Sequence, residues 1–397
     1  MEKLATKGGK PVRKTFLLPF KPAIGKEEIK ELIDTIKSGW ITTGPKTHKF
    51  EEMAKTYIGS HEALALSSCT AALHLALIIA GVKEGDEVIT TPFTFISTVN
   101  VILHQKARPV LVDIEKDYYT IDPEKIERAI TKKTKVIMPV HYAGQPAALD
   151  QIRRITKKYN LFLIEDAAHA MGATYQGEKI GHASDAACFS FYAAKNLATA
   201  EGGMLAMKNR SLAKRARIMS LHGMSRDAWK RYTATGSWRY EVLYPGFKYN
   251  YTDLQASLGI HQLQKLDAFI AKKQRIAGFY DKAFGAEPSL IVPKVRPNAT
   301  HTYYLYPLVL NTNELRINRD QFIEALKAEN IGASVHFIPV HLHPYYKKTF
   351  GYKRGDFPTT EWVFDRILSL PIHSSMNMND ARDVVRAVKK IVGYYKI

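Results

Sequence analysis

A single lysine, Lys195, stands in the stretch "FSFYAAKNLATAEGG", after an apolar run and two alanines and ahead of a glycine pair. The next charged residue is Glu201. Lysine in a confined apolar setting has a lowered pKa, because burial disfavours its charged form, and it then becomes a nucleophile toward aldehydes and ketones. Read alone, Lys195 is equally a strand-end lysine reaching for water. Three other stretches carry comparable signals. "LFLIED" places Asp166 just past an apolar strand, where a carboxylate could hold a cationic ring nitrogen or simply cap a helix. "SSCTAAL" puts Ser68, Cys69 and Thr70 at a helix start, whose free N–H groups suit an anion as well as ordinary capping. "TTPFTF" offers Phe93 and Phe95 as ring platforms or as plain core.

Taken together these residues supply an aldehyde-reactive amine, a carboxylate for a pyridinium, a phosphate cradle and an aromatic face. Pyridoxal 5'-phosphate (PLP) requires those four things. A further cluster, "HFIPVHLH", holds His336, His341 and His343. Its spacing resembles metal-ligand spacing, but it is loop-like and lacks a nearby carboxylate, so no metal is expected there.

The elements that must position these groups follow from hydrophobic period. Helical spacing runs through residues 26–38 and stops at Gly39-Trp40; a second helix follows Gly44-Pro45. "EALALSS" reads as a strand and "CTAALHLALIIAGV" as a helix ending near Gly81. The alternation continues with strands at "DEVITT", "RPVLVDI", "TKVIMPV", "LFLIEDA", "AACFSF" and "GGMLAMK", and with helices at "FISTVNVILHQ", "DPEKIERAIT" and "ALDQIRRITKKY". Such alternation predicts a largely parallel sheet covered on both faces, with ligands at the carboxyl ends of its strands. A long helical pattern over residues 251–285 leads toward a second unit. That unit is read as a helix at 318–329, a strand near 332–338, a His- and Pro-rich loop and a last helix at 379–393. The expected division is residues 1–262, a large domain with the N-terminal segment, and 263–397, a small α+β domain.

Composition narrows the class. The chain has 397 residues, 46% of them hydrophobic, enough for a real core, and two cysteines, Cys69 and Cys188, too few for a disulfide framework. The first residues contain no apolar h-region, and no apolar run approaches a membrane span, so a soluble cytoplasmic protein is expected, with no membrane partner. The net charge of +19 is spread over stretches such as "ITKKTK", "RRITKKY" and "IAKKQR". These read as solvated faces, and without a zinc-finger or RNP-type motif no nucleic-acid partner is expected.

The ordered stretches "SGWITTGPKTHKFE", "SSCTAALHLAL", "GDEVITTPFTF", "PVHYAGQPAALD", "IEDAAHAMGATYQGEKIG", "FSFYAAKNLATAEGGML", "PGFKYNYTDLQASLGIHQLQKLD" and "HFIPVHLHPYY" resemble the DegT/StrS-type sugar aminotransferases over nearly the whole chain. "VHYAG", "LHGMSRDAW" and "YPGFKYN" are most similar to enzymes that aminate UDP-4-keto sugars, such as the one making UDP-4-amino-4-deoxy-L-arabinose. The resemblance implies a fold-type I PLP-dependent transferase: an α/β protein with a mostly parallel seven-stranded sheet flanked by helices and a smaller C-terminal α+β domain. It implies ping-pong transfer of the amino group of L-glutamate to a nucleotide-linked keto sugar, for lipopolysaccharide or another surface glycan.

It also implies roles. Lys195 matches the Schiff-base lysine and proton shuttle, and Asp166 the partner of the pyridine nitrogen. His169, often Gln in relatives, matches the residue near the ring hydroxyl, and Phe95 the stacking aromatic. Thr70, with Cys69 and Ala71, and Ser190 match the phosphate cradle. Asn250 matches an asparagine that reaches the phosphate in a partner subunit, which implies a homodimer with shared sites. Trp40 and Thr43 are assigned to the sugar pocket, and His336 and His341 to the neighbourhood of the sugar or diphosphate. One departure stands out: many relatives read "TTGEGG" where this chain has Thr199-Ala200-Glu201-Gly202-Gly203. A dehydratase branch carries His in place of the lysine, so Lys195 argues against it. Alternatives are a GDP-4-keto-6-deoxy sugar, a 3-keto sugar, or a non-catalytic regulatory member of the family.

Overall fold

The computed structural model describes residues 2–225 and 239–397. Helices α1 (Lys26–Ser38) and α2 (Pro45–Ile58) lead into strand β1 (Glu62–Leu66). The expected alternation follows: α3 (Cys69–Ile79), β2 (Glu87–Thr90), α4 (Ile96–His104), β3 (Arg108–Leu111), α5 (Pro123–Ala129), β4 (Thr134–Ile137), α6 (Leu149–Tyr159) and β5 (Phe162–Asp166). A short hairpin, β6 (Thr174–Tyr175) and β7 (Glu178–Lys179), precedes β8 (Ala186–Ser190), β9 (Gly203–Met207) and α7 (Arg210–Ser220). Of the stretch "LHGMSRDAW", residues 226–229 lie outside the described residues.

The sheet has seven strands in the order β1-β9-β8-β5-β4-β2-β3. It is parallel except at β9, which runs against both β1 and β8. Strands β8 and β9 are apolar almost throughout, as a sheet covered on both faces demands. The reversal at β9 matters for the site. Its first residue, Gly203, pairs with the last residue of β8, Ser190, and with Leu66 at the end of β1. One edge of the sheet therefore collects the ends of β1, β5 and β8 and the start of β9, with the segments that carry Cys69, Asp166, Ser190 and Lys195.

Helix α8 (Asp253–Phe284) runs 32 residues. Its N-terminus closes with a reciprocal pair: Gln255 N–H donates to Thr252 Oγ1, and Thr252 N–H to Gln255 Oε1. The expected boundary at residue 262 falls inside this helix, so one rigid element serves both units. The second core draws on three parts of the chain: Leu4 and Leu17 at the N-terminus, Ile276, Tyr280 and Phe284 of α8, and the C-terminal residues up to Val392. Within it, β10 (Leu290–Ile291), β12 (Tyr306–Leu310) and β13 (Ile367–Leu370) form an antiparallel sheet, while β11 (Ala299–Thr300) joins the hairpin of β6 and β7. Helices α9 (Arg319–Ala328), α10 (Pro344–Phe350), α11 (Pro358–Phe364) and α12 (Met378–Tyr395) complete the unit.

The strand expected near 332–338 does not form. That segment divides its backbone bonds between Leu17, which accepts from Gly332 N–H, and Ser369, which exchanges with Ser334. It then turns so that His336 and Phe337 face the sheet edge.

Asp253 ties α8 to the loop before α2. Gly44 has no side chain to cap α2, and the buried Asp253 carboxylate does so instead, accepting from Gly44 N–H at 2.9 Å, Thr47 N–H at 2.8 Å and Thr47 Oγ1 at 2.7 Å. Replacing Asp253 with Ala leaves these buried donors unpaired, at a cost of about 3 kcal/mol, whereas Asn retains an acceptor and costs less. Urea melts of the two variants should fall in that order, and equal midpoints would show that the cap contributes nothing.

Candidate functional site

Lys195 lies in the turn after β8, where its N–H donates to Tyr192 O at 2.8 Å. The residue keeps partial exposure, but its amine is screened from water, and that desolvation lowers its pKa to about 8. Nζ stands 4.2 Å from the centroid of the Tyr304 ring. The Tyr304 ring lies 4.3 Å from that of His169, and Phe337 continues the wall at 5.9 Å from His169 and 5.6 Å from Phe95. Phe93 takes the other option that its motif left open: it is fully buried against Tyr142, while the Phe95 ring is 53% exposed.

Asp166 ends β5 and is buried. Burial pushes its carboxyl up, and four groups oppose that shift by favouring the anion: Thr98 Oγ1 donates to Oδ2 at 2.7 Å, Ala168 N–H donates to Oδ1 at 3.2 Å, and Lys195 and His141 act through their charge. Behind it, His141 and Glu165 form a fully buried pair at 2.7 Å, and His141 N–H donates to Asp166 O at 3.1 Å. A carboxylate held this way is fixed in direction and needs a cationic partner in front of it.

His169 is neutral: burial, reinforced by the nearby Lys195 charge, holds its pKa well below the ordinary range. Its Nδ1 accepts Ala143 N–H at 3.2 Å, so the remaining proton sits on Nε2, where it can be donated. This is the donor function that an amide would supply at the same place.

The residues expected to cradle a phosphate lie at the start of α3. Ser68 caps the helix by accepting Ala71 N–H at 3.0 Å. Ala71 N–H is thereby engaged by Ser68, while the N–H groups of Cys69 and Thr70 have no intrahelical acceptor. Ser190 is adjacent through its partner Gly203, whose backbone presses on this turn; a Cβ on Gly203 would lie 2.4 Å from Cys69 N. Only glycine lets β9 approach so closely. Burial pushes the Cys69 thiol up, so it stays protonated.

The remaining expected residues separate into two groups. His336 belongs with the first: it lies 5.5 Å from Phe20, its Nδ1 is 2.9 Å from Ser369 Oγ, and burial beside Lys195 lowers its pKa to about 4. Thr43, Trp40 and Asn250 form a second group. Trp40 Nε1 donates to Thr43 O at 3.1 Å, and Asn250 Nδ2 to Thr43 Oγ1 at 2.8 Å. The hydrogen bonds of Thr43 and Asn250 run to Trp40, Lys248 and Tyr251 rather than to Lys195 or Asp166. His341, expected near the sugar, shares no hydrogen bond with either group. Its side chain is fully buried, with Nε2 3.0 Å from Glu361 and its ring edge against Phe357. Among the described residues no group of three His, Cys, Asp or Glu could hold a metal ion, and no helix is long and apolar enough to cross a membrane. Thr98 and Tyr304 were not expected from sequence. The tyrosine-rich "THTYYLY" after the long helix is the one signal that could have pointed to Tyr304.

A mostly parallel sheet presents at one edge a desolvated lysine, a buried carboxylate braced by donors, a neutral histidine donor and free helix N–H groups, a set that fits a PLP-dependent transaminase. The comparisons agree. The model of the DegT/DnrJ/EryC1/StrS aminotransferase family matches residues 22–389, and the chain belongs to that family. It is 56% identical over 381 residues to the protein MJ1066 of Methanocaldococcus jannaschii, covering 96% of this chain and 99% of that one. It is 49% identical over 382 residues to the spore coat polysaccharide biosynthesis protein SpsC of Bacillus subtilis, covering 96% and 98%. The PLP form of the putative sugar aminotransferase Spr1654 from Streptococcus pneumoniae superposes with a TM-score of 0.88 at 32% identity, covering 96% of this chain and 99% of that one. The protein is a sugar aminotransferase that works with PLP.

The lowered pKa of Lys195 has a direct readout. In cofactor-free protein, labelling of Lys195 by an amine-reactive reagent should rise with pH through a midpoint of about 8, against about 10.4 for ordinary lysines. Peptide mass spectrometry separates the two, and a Lys195 midpoint near 10 would remove the desolvation argument.

Proposed function

We propose that the protein transfers the amino group of L-glutamate to the C4 carbonyl of a UDP-linked keto sugar, for the amino sugars of a surface glycan, in the cytoplasm and as a homodimer. The observation that carries the reading is the Lys195 amine, desolvated and facing Tyr304 beside the Asp166 charge. PLP, when bound, supplies an aldehyde for that amine and a ring that withdraws electrons. The residues present fit it. Asp166 would hold the proton on the ring nitrogen, with Thr98 keeping its carboxylate turned forward. His169 Nε2–H would meet the ring hydroxyl, Phe95 would cover the ring, and the N–H groups of Cys69 and Thr70 with Ser190 Oγ would take the phosphate.

In this reading Lys195 removes the proton from Cα of glutamate and returns it on the far side of the transfer. Its pKa suits the task, because a base near the working pH is both free and able to give the proton back. Phe95, Phe337 and Tyr304 exclude water from one side. His336, neutral and half-turned toward the same space, faces the sugar. The basic surplus of the chain favours an anionic diphosphate. The preference for a UDP-4-keto sugar rests on the resemblance of "VHYAG" and "YPGFKYN", and the preference for a surface glycan on the SpsC relative's name.

Two features support the dimer. Trp40, Thr43 and Asn250 bond to one another and to Lys248 and Tyr251 rather than to Lys195 or Asp166, and they would serve a neighbouring chain's site. Helix α1 exposes Ile29, Ile33 and Ile36, one stripe at helical spacing, with Ile41 just beyond. A contiguous apolar stripe of this kind marks a contact surface. Light scattering at micromolar concentration should give twice the chain mass of 44.8 kDa, and Ile33→Lys should lower it. A monomer that turns over at full rate would sink this part of the proposal.

The reaction itself is tested with glutamate and a panel of UDP-, GDP- and dTDP-linked 4-keto and 3-keto sugars. Amination at C4 of a UDP sugar supports the proposal, and preference for another nucleotide or for C3 refutes its finer part. Asp166→Asn removes a charge-assisted hydrogen bond worth about 1.5–3 kcal/mol, so the half-reaction with glutamate alone should slow on the order of ten- to a hundredfold. If that variant reacts at the wild-type rate, Asp166 is a structural cap. If the wild type ignores glutamate and instead dehydrates a keto sugar, the transaminase chemistry is wrong.

A further inference from the structure

Helix α8 grips the loop that follows Lys195 at three points. Gln255 Nε2 donates to Glu201 O at 2.9 Å, Gln262 Oε1 accepts from Ala198 N–H at 3.4 Å, and Lys273 Nζ donates to Asn196 Oδ1 at 2.6 Å. The three residues are seven and eleven positions apart, about two and three helical turns, so one face of α8 carries all of them.

The third grip is unusual. Lys273 is 3% exposed and Asn196 6%, and among the described residues no carboxylate pairs with Lys273. An ammonium buried without a counter-ion is expensive, and Met at the same place would fill similar space at no such cost. Burial accordingly lowers the pKa of Lys273 to about 7. The surroundings are also polar: among the described residues Asn196 Nδ2 lacks a partner, and the buried His373, which bonds to the Leu18 backbone, feels the Lys273 charge. Neither Lys273 nor His373 touches the reacting groups. Asn196, however, is the residue next to Lys195 in the chain, and the Lys195 side chain springs from the same short turn. An error of about 1 Å in aiming a reacting group costs on the order of a hundredfold in rate.

We propose that Lys273 is a positioning residue: by holding Asn196 from behind, it fixes the turn from which Lys195 projects and so keeps the Lys195 amine in its dry position over Tyr304. This rests on the reading of Lys195 as the reacting amine. Gln255 and Gln262 hold the loop's backbone, while Lys273 holds the polar side chain that follows the nucleophile.

The test compares Lys273→Met, Lys273→Gln and Asn196→Ala. Met keeps the stem and removes the donor; Gln keeps a neutral donor. The first readout needs no activity: the labelling rate of Lys195 in cofactor-free protein, measured at its midpoint of about 8. With the grip lost in Lys273→Met and Asn196→Ala, the amine gains water and its proton, and labelling should fall severalfold. Lys273→Gln should stay near wild type. The second readout is the thermal midpoint of cofactor-free protein, which Lys273→Met should leave unchanged or raise, because an unpaired buried charge is gone. The third is amine transfer: kcat should drop on the order of ten- to a hundredfold in Lys273→Met while KM for the sugar changes less than about threefold, with recovery in Lys273→Gln. Wild-type labelling of Lys195 in Lys273→Met overturns the proposal, as does joint loss of stability and activity with Lys195 labelling intact. If Lys273→Met does not fold, Asn196→Ala decides: unchanged Lys195 labelling there overturns it. Should the wild type transfer no amine at all while labelling still responds to Lys273, the positioning stands and the assigned reaction fails.

Discussion

The site depends on keeping one amine dry yet reachable. An ordinary lysine at neutral pH is protonated and cannot attack a carbonyl, so the protein must make the ammonium costly without burying it beyond contact. Lys195 meets both conditions because it stands where β8 has just left the sheet, with Tyr304 beneath its nitrogen and the residue still partly open above. The aromatic ring gives the amine an apolar floor. The Asp166 carboxylate works against this by favouring the charged form, but Thr98 and Ala168 N–H already occupy it. The amine therefore lies near a carboxylate that is directed elsewhere.

That balance explains the sheet edge. A purely parallel sheet would not bring the start of a strand to the same edge as the ends of its neighbours. Because β9 runs backward, Gly203 arrives beside Ser190 and presses against Cys69 N. The cradle at α3, the carboxylate at the end of β5 and the lysine after β8 are then neighbours, although 126 positions separate Cys69 from Lys195 in the chain.

The large sheet was readable in the sequence because each strand is a short apolar run closed by turn residues, a signal that depends on nothing distant. Lys195 and Asp166 were readable for the same local reason: each stands at the edge of an apolar run, Lys195 with no charged neighbour and Asp166 directly after Glu165. Thr98 was not, because a threonine early in a helix looks like any other until Asp166 is known to face it across 68 positions. The second unit was the least legible. "YPLVL" is a central strand despite Pro307, a residue that normally argues against one, whereas "GASVHFIPV" has the apolar and β-branched look of a strand yet gives its backbone bonds away singly. The partner of His341 was not legible, because Glu361 lies twenty residues later.

The loop that carries the lysine is held more firmly than its composition suggests. Ala200 adopts a left-handed φ of 68°, a conformation that costs a residue with a Cβ about 1–2 kcal/mol and that glycine adopts freely. Relatives with "TTGEGG" place glycine there. Alanine persists because its neighbours leave the backbone no alternative. Thr199 N–H donates to Phe191 O at 2.8 Å, Phe191 N–H donates to Gly202 O at 2.9 Å, and Glu201 O accepts from both Thr199 Oγ1 at 2.8 Å and Gln255 Nε2 at 2.9 Å. Bonds on both sides of Ala200 thus impose its φ, and strain is tolerated where surrounding structure over-determines it. The methyl group has a compensating effect: alanine restricts the unfolded chain more than glycine does, by about 0.4–1 kcal/mol. The two terms oppose each other, and because the strain is about twice the compensation, the departure from glycine carries a small net cost. What remains is a stiffer loop behind Lys195, held by α8 from one side and by its own backbone from the other.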